Sequence, residues 1–212
     1  MLRVAANGAT TPIANLSEFQ RTHPVARPEP DDFEPDGTWY SMVTVRGSLY
    51  AVEPNHGEID RVNPWSGRVS RVVDVSASQG HIVPTALAYD GNLFVGNLGE
   101  FPVIPGSETV FKLTPSGNLK PRATGLTTIL GLAVGHRHRI YVLETSTQAG
   151  APSPGTGDIV RIDPSGVRTT IVSGLTFPTG MTMGPDGDLW VSNQGFGPTL
   201  PGFGQILRID PN

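Results

Sequence analysis

Apolar and polar positions along this chain alternate in short runs broken by Gly, Pro, Asp and Asn. The clearest runs are "YSMVTV" (40–45), "PTALAY" (84–89), "ILGLAV" (129–134) and "PTGMTM" (178–183). Each is followed at once by a turn and a second run, in "RGSLYAV" (46–52), "DGNLFV" (90–95), "RHRIYV" (137–142) and "DGDLWV" (186–191). Leu or Ile, an aromatic and Val in alternation suit a strand packed on both faces. Asp-Gly between such runs favours a tight hairpin, since Gly accepts a positive φ. The pattern predicts antiparallel strand pairs of hairpin length.

A third feature follows each pair in fixed order: a basic residue, an apolar residue and a turn that usually contains Pro. It reads "RVNPWSG" (61–67), "KLTPSG" (112–117), "RIDPSG" (161–166) and "RIDPN" (208–212). Pro64, Pro115, Pro164 and Pro211 are spaced by 51, 49 and 47 residues. Pro presets a turn and cannot sit inside a central strand, so this turn opens a second hairpin. The outer strands it predicts are "RVSRVVDV" (68–75), "NLKPRAT" (118–124) and "VRTTIVS" (167–173). The repeating unit is therefore four antiparallel strands, a to d.

A single four-stranded sheet leaves two apolar faces in water, and radial packing against copies of itself buries both. Four-strand units at this period predict an all-β fold, a β-propeller of four-stranded antiparallel blades. A β-sandwich with coincidental turns and a β-helix with shorter repeats are the alternatives, and neither accounts for the ordered three-part pattern. The chain is expected to form a single propeller domain or part of one. Residues 2–16 read as the outer c and d strands of an incomplete blade, because "LRVAANG" (2–8) has the shape of "IVRIDPSG" (159–166). Blades are expected over 38–75, 84–124 and 129–173, with a last partial blade over 178–210. Two readings follow: the N-terminal strands complete the last blade, or the sequence is an excerpt from a larger ring.

Composition narrows the function classes. The 26 Gly and 20 Pro fall at recurring places between β-rich runs, which makes them punctuation rather than a sign of disorder. A net charge of −4 with no basic stripe gives no footprint for nucleic acid. The absence of Cys removes disulfides, thiol catalysis and cysteinyl metal sites. The longest apolar runs are strand-sized, so no membrane span is expected. "MLRVAANGAT" holds no apolar stretch of secretion-signal length, so the protein is either cytoplasmic as written or continues upstream.

Strand parity sorts the loops. The a–b and c–d turns share one face and are short. The b–c and d–a connections share the other, and several are long: 17–37, 97–108, 144–157 and 193–204. Long loops on one face of a rigid scaffold are where binding usually resides. At the end of strand b, aligned copies carry Glu53, Asn97, Glu144 and Asn193; at the start of strand a they carry Ser41, Thr85, Leu130 and Thr179. A ring of carboxylates and amides there would suit a hard cation such as Ca²⁺ or Mg²⁺. The competing reading is that these side chains only close backbone hydrogen bonds where a strand stops.

Of the five histidines, His136 and His138 fall in a short turn and read as solvated, and His56 lies in a short b–c turn. His81, before "IVPTAL" on the long-loop face, is the best candidate for a functional imidazole. The ligand-binding candidates are thus Glu53, Thr85, Asn97, Glu144, Thr179, Asn193 and His81. No nucleophile elbow, phosphate-binding Gly loop or zinc-protease helix is present.

Three long stretches carry a family likeness: "LRVAANGATTPIANLSEF" (2–19), "VPTALAYDGNLFVGNLGEFPVIPGSETVFKLTPSG" (83–117) and "GLTFPTGMTMGPDGDLWVSNQG" (174–195). With "TTILGLAVGHRHRIYVLE" (127–144), they resemble the ScyD/ScyE family among the NHL-type six-bladed propellers. The resemblance implies an extracytoplasmic protein with a signal peptide and a further blade region upstream, and it names no reaction. Two enzymatic relatives imply more. Gluconolactonase-like propellers hold a divalent cation at positions that here carry Thr85, Leu130 and Thr179. Streptogramin lyase-like propellers have a Glu that matches Glu53 and Glu144, but the His expected two residues later is replaced by Asn55 and Ser146. The expected function is a binding or scaffold module for a small molecule or protein on the long-loop face. The alternative is a metal-assisted lactonase or lyase.

Overall fold

The computed structural model describes residues 1–28, 36–114, 116–197 and 203–211. Residues 29–35 of the first long connection, Pro115 of the second c–d turn and residues 198–202 of the last long loop lie outside them. The fold is all-β and built from antiparallel blades of the β-propeller type. The chain divides into two compact units, Met1–Pro84 and Thr85–Asn212.

The first unit holds one complete blade, β3 (Ser41–Val45), β4 (Ser48–Glu53), β5 (Glu58–Val62) and β6 (Val69–Asp74), paired in chain order. Its first hairpin turns on Arg46 and Gly47, both at positive φ (48° and 77°), with Val45 paired to Ser48. Two left-handed residues in a two-residue loop match the twist of the flanking strands. Ala51, Val52, Ile59 and Val62 fill the core with almost no exposure.

Ahead of this blade stands a separate hairpin, β1 (Leu2–Val4) and β2 (Thr10–Pro12), whose side chains are exposed. It is fastened to the c–d turn of the blade. The Arg3 guanidinium donates to the Pro64 carbonyl at 2.7 Å and lies 5.1 Å over the Trp65 ring. Gly67, at φ 71°, lets the Ile13 carbonyl approach where any Cβ would stand in its way. The strand expected to run to residue 16 stops at Pro12, and Leu16–Thr22 forms a helix, α1. Asn15 caps it: its side chain accepts from the Glu18 N–H at 3.1 Å, an Asn-x-x-Glu arrangement that starts a helix. A second short helix, α2 (Val75–Gln79), follows β6 and is capped in the same way by Asp74.

The second unit holds two complete blades and a three-stranded one. The first comprises β7 (Pro84–Asp90), β8 (Asn92–Asn97), β9 (Glu108–Leu113) and β10 (Leu119–Leu126). The next comprises β11 (Ile129–Val134), β12 (Ile140–Glu144), β13 (Gly157–Ile162) and β14 (Arg168–Leu175). The last is β15 (Gly180–Met183), β16 (Leu189–Asn193) and β17 (Gln205–Ile209). Inner strand β11 packs between β8 of one neighbour and β15 of the other, where Gly96 faces Ile129 and Gly131 faces Met181. β12 is buried along its whole length, while outer β14 is largely exposed, as face-to-face packing of blades requires. No helix among the described residues is long and apolar enough to cross a membrane.

Candidate functional site

The aligned ends of the b strands share one piece of geometry. In the first unit, Glu53 ends β4 fully buried. Its Oε1 accepts from the backbone N–H of Thr38 at 2.9 Å and of Asn55 at 3.2 Å, and its Oε2 from that of His56 at 2.7 Å. In the second unit, Glu144 accepts from the Thr127 N–H at 2.5 Å, and Asn193 Oδ1 accepts from the Thr176 N–H at 2.9 Å. Thr38, Thr127 and Thr176 each lie three residues before the aligned strand-a position, Ser41, Leu130 and Thr179. The b-strand side chain therefore pins the connection that enters the same blade.

The residue after the pinned one carries strain. Thr128 and Phe177 have φ of 40° and 44°, and Val83, at the aligned place before β7, has 54°. A β-branched residue in the left-handed region costs of order 1–2 kcal/mol, so the surrounding contacts must hold it there. At Thr128 those contacts are visible: its hydroxyl donates to the Ser146 carbonyl at 2.6 Å and accepts from the Ser146 N–H at 3.0 Å.

The c strands add a second polar layer. Asn97 donates to the Glu108 carboxylate and accepts from the Thr109 N–H at 2.9 Å, while Asn193 donates to Gln205 Oε1 at 2.9 Å. Thr85 is buried and donates to the Ile129 carbonyl at 2.5 Å; Thr179 donates to Ser192 Oγ at 3.3 Å. His81 stands partly buried between α2 and β7. The structure thus brings Asn97, Glu144, Thr85, Thr179 and Asn193 to the b–c and d–a side of the second unit. Glu53 holds the matching corner of the first. His136 and His138 lie in a 3₁₀ turn on the short-loop side, with His138 Nδ1 2.5 Å from Asp90 Oδ2.

The long loops of the second unit are stitched together. Val103 and Gly150 exchange both backbone hydrogen bonds, at 2.7 and 3.0 Å, which ties loop 97–108 to loop 144–157. Gly155 donates to Thr176 Oγ1 at 3.1 Å, and Gln194 and Gly195 donate to the Thr176 and Phe177 carbonyls. Hydroxyls gather along this rim, buried at Thr127, Thr128, Thr145 and Ser146 and half-buried at Thr156 and Thr176.

Burial pushes the Glu144 carboxyl up to about 7, with Asp158 adding to the rise and the Thr127 hydrogen bond opposing it. Burial raises Glu108 as well. A carboxyl poised near neutrality can both donate and accept a proton. Sequence reasoning marked Glu144 by its place at the end of a strand. It missed Thr127, whose N–H Glu144 accepts, and Glu108, the carboxylate that Asn97 donates to. A divalent ion on the strand-a positions finds no fitting donor set. Leu130 offers no oxygen, the Thr85 hydroxyl is given to a backbone carbonyl, and no three His, Asp or Glu among the described residues converge to hold a metal.

No protein-family model matches the chain, and no curated protein matches it. Solved structures do. Virginiamycin B lyase from Staphylococcus aureus superposes with a TM-score of 0.57 at 16% identity, covering 100% of this chain and 63% of that one. A gluconolactonase from Xanthomonas campestris gives 0.61 at 18%, covering 81% and 58%. A streptogramin B lyase gives 0.53 at 14%, covering 80% and 53%. At these identities the likeness is one of fold, the β-propeller. The chain spans between about half and two thirds of the length of these structures.

Proposed function

We propose that this chain is the larger part of a propeller that acts on a small organic molecule, with lyase- or lactonase-type proton transfer at the hydroxyl rim of the second unit. Glu144 is the titrating group in this reading. One observation carries it: a buried carboxyl at about 7, in a rim of threonine and serine hydroxyls. The lyase and gluconolactonase likeness supports the same class of chemistry at the level of fold. With Ser146 two residues after Glu144, no imidazole stands at the matching position, so Glu144 serves alone or with a rim hydroxyl.

The test is turnover of cyclic esters, from sugar lactones to macrocyclic depsipeptides, with and without chelator. The proposal expects chelator-resistant activity whose pH profile bends near 7 and which Glu144→Gln abolishes. Activity unchanged in Glu144→Gln sinks the assignment of Glu144. Activity lost on chelation and restored by Ca²⁺ or Mg²⁺ favours the metal-assisted route instead.

A second reading, an extracytoplasmic binding or scaffold module of ScyD/ScyE type, is favoured by the way Glu53, Asn97 and Asn193 spend their polar atoms on the protein itself. It rests on the sequence motifs, and it expects a ligand or protein to protect the long-loop rim without being consumed.

A further inference from the structure

The first unit contains a buried acidic cluster that the proposed chemistry does not use. Glu58 and Asp60, alternate residues of β5, are both fully buried, on the face of the strand opposite Ile59. Glu58 Oε2 pairs with Arg71 Nε of β6, and Asp60 Oδ2 accepts from Trp39 Nε1 at 3.3 Å. Among the described residues, the other oxygen of each, Glu58 Oε1 and Asp60 Oδ1, has no hydrogen-bond partner, and neither end of the buried Gln20 amide has one. Gln20 belongs to α1 and lies against Gly37, beside the Trp39 ring whose Nε1 donates to Asp60.

Arg71 faces two ways. Besides Glu58, its guanidinium donates to the Pro24 carbonyl at 3.2 Å and to the His23 carbonyl, and it lies 6.0 Å from the Phe19 ring. The segment after α1 is strapped further by Asp74, which accepts from the Ala26 N–H at 2.7 Å, and by Ser76, which accepts from the Arg27 N–H at 3.1 Å. One cation thus joins the acidic pair to the strap that crosses it.

We propose that Glu58, Asp60 and Arg71 form a proton-operated latch that fastens residues 16–27 to the first blade and releases them when both carboxyls are ionised. The charged and titratable groups facing it are Glu53 of β4, Glu58 and Asp60 of β5, Arg71 and Asp74 of β6, and His23 at the end of α1. With Glu58 and Asp60 protonated, their burial costs little and Arg71 keeps its bonds to the strap. With both ionised, two negative charges share one guanidinium in a site closed to water, and opening the strap is the way to hydrate them. Burial raises Glu58 to about 7 and Asp60 to about 6, so the release falls on the alkaline side of neutrality.

The experiment is hydrogen exchange of the full chain at pH 5.5 and 8.5, comparing peptides over 16–27 with those over β12 after correction for intrinsic rates. The expected result is a loss of protection over 16–27 on the order of tenfold or more at the higher pH, with β12 unchanged. Glu58→Gln with Asp60→Asn should abolish that response and keep the strap protected at both pH values. Should the double variant fail to fold, Glu58→Gln alone must remove most of the response, since its carboxyl is the one bound to Arg71. Equal protection of 16–27 at both pH values, or an undiminished response in the variant, overturns the latch.

Discussion

Thr127 gives its backbone N–H to Glu144 Oε1 at 2.5 Å, and the next residue, Thr128, turns left-handed. The carboxylate that ends strand b thereby sets the path by which the chain enters strand a of the same blade. Asn193 and Thr176 repeat the relationship with an amide in place of the acid. An oxygen acceptor at the right reach is the requirement there, and charge is not. Glu144→Gln should therefore keep the fold, whereas Glu144→Ala leaves the Thr127 N–H unsatisfied at about 1–3 kcal/mol. Urea unfolding of the three proteins checks the order. Equal loss in Gln and Ala would mean that the charge matters after all.

The same burial predicts how stability follows pH. Glu144 and Glu58 are raised in the folded chain from an ordinary 4.5 to about 7, and Asp60 from 3.8 to about 6. The folded state then holds more protons than the unfolded one between those limits. Stability from these groups is fully present below about pH 4 and is lost as pH rises through 6 and 7. Melting temperature should fall between pH 5.5 and 8, and the slope should shrink in Glu144→Gln. A flat or rising profile over that interval would contradict the assignment.

How much of this was legible beforehand depends on what each feature is made of. The blades were, because Asp-Gly and Pro-Ser-Gly turns and the alternation of "DGDLWV" are local chemistry. The α1 helix was missed although Asn15 and Glu18 stood at capping distance in the sequence, since a repeat reading extends strand d through them. The ends of the b strands were marked as polar. Those of Glu53, Glu144 and Asn193 reach backbone N–H groups of the preceding connection, and backbone donors leave no trace in residue identity. The acid pair of β5 left a faint one: Glu58 and Asp60 alternate in "EID", on the face where an outer strand offers Arg71.

The strained corner before strand a offers a stabilising substitution. Val83 sits at φ 54°, where a β-branched side chain is disfavoured and Asn is tolerated. Val83→Asn should raise stability by about 0.5–1 kcal/mol. Thr128→Asn should not, because the Thr128 hydroxyl is bonded on both sides to Ser146. Thermal melts of the two variants separate backbone relief from lost hydrogen bonds; a gain in Thr128→Asn would assign no value to the Ser146 contacts.

Gly67 tests the docking of the N-terminal hairpin. Its φ of 71° already penalises any side chain, and an added Cβ would collide with the Ile13 carbonyl, a backbone atom that cannot swing aside. Gly67→Ala should therefore do two things at once: strain the c–d turn by about 1 kcal/mol and push β1–β2 off it. Arg3 would then lose its hold on Pro64 and the face of Trp65. Limited proteolysis reads the second effect, with cleavage between residues 5 and 15 expected to quicken while β3–β6 stays intact. Arg3→Ala, which leaves the turn unstrained, should quicken the same cleavage by a smaller factor. If Gly67→Ala lowers the melting temperature without changing that cleavage, the hairpin is held by something other than this turn.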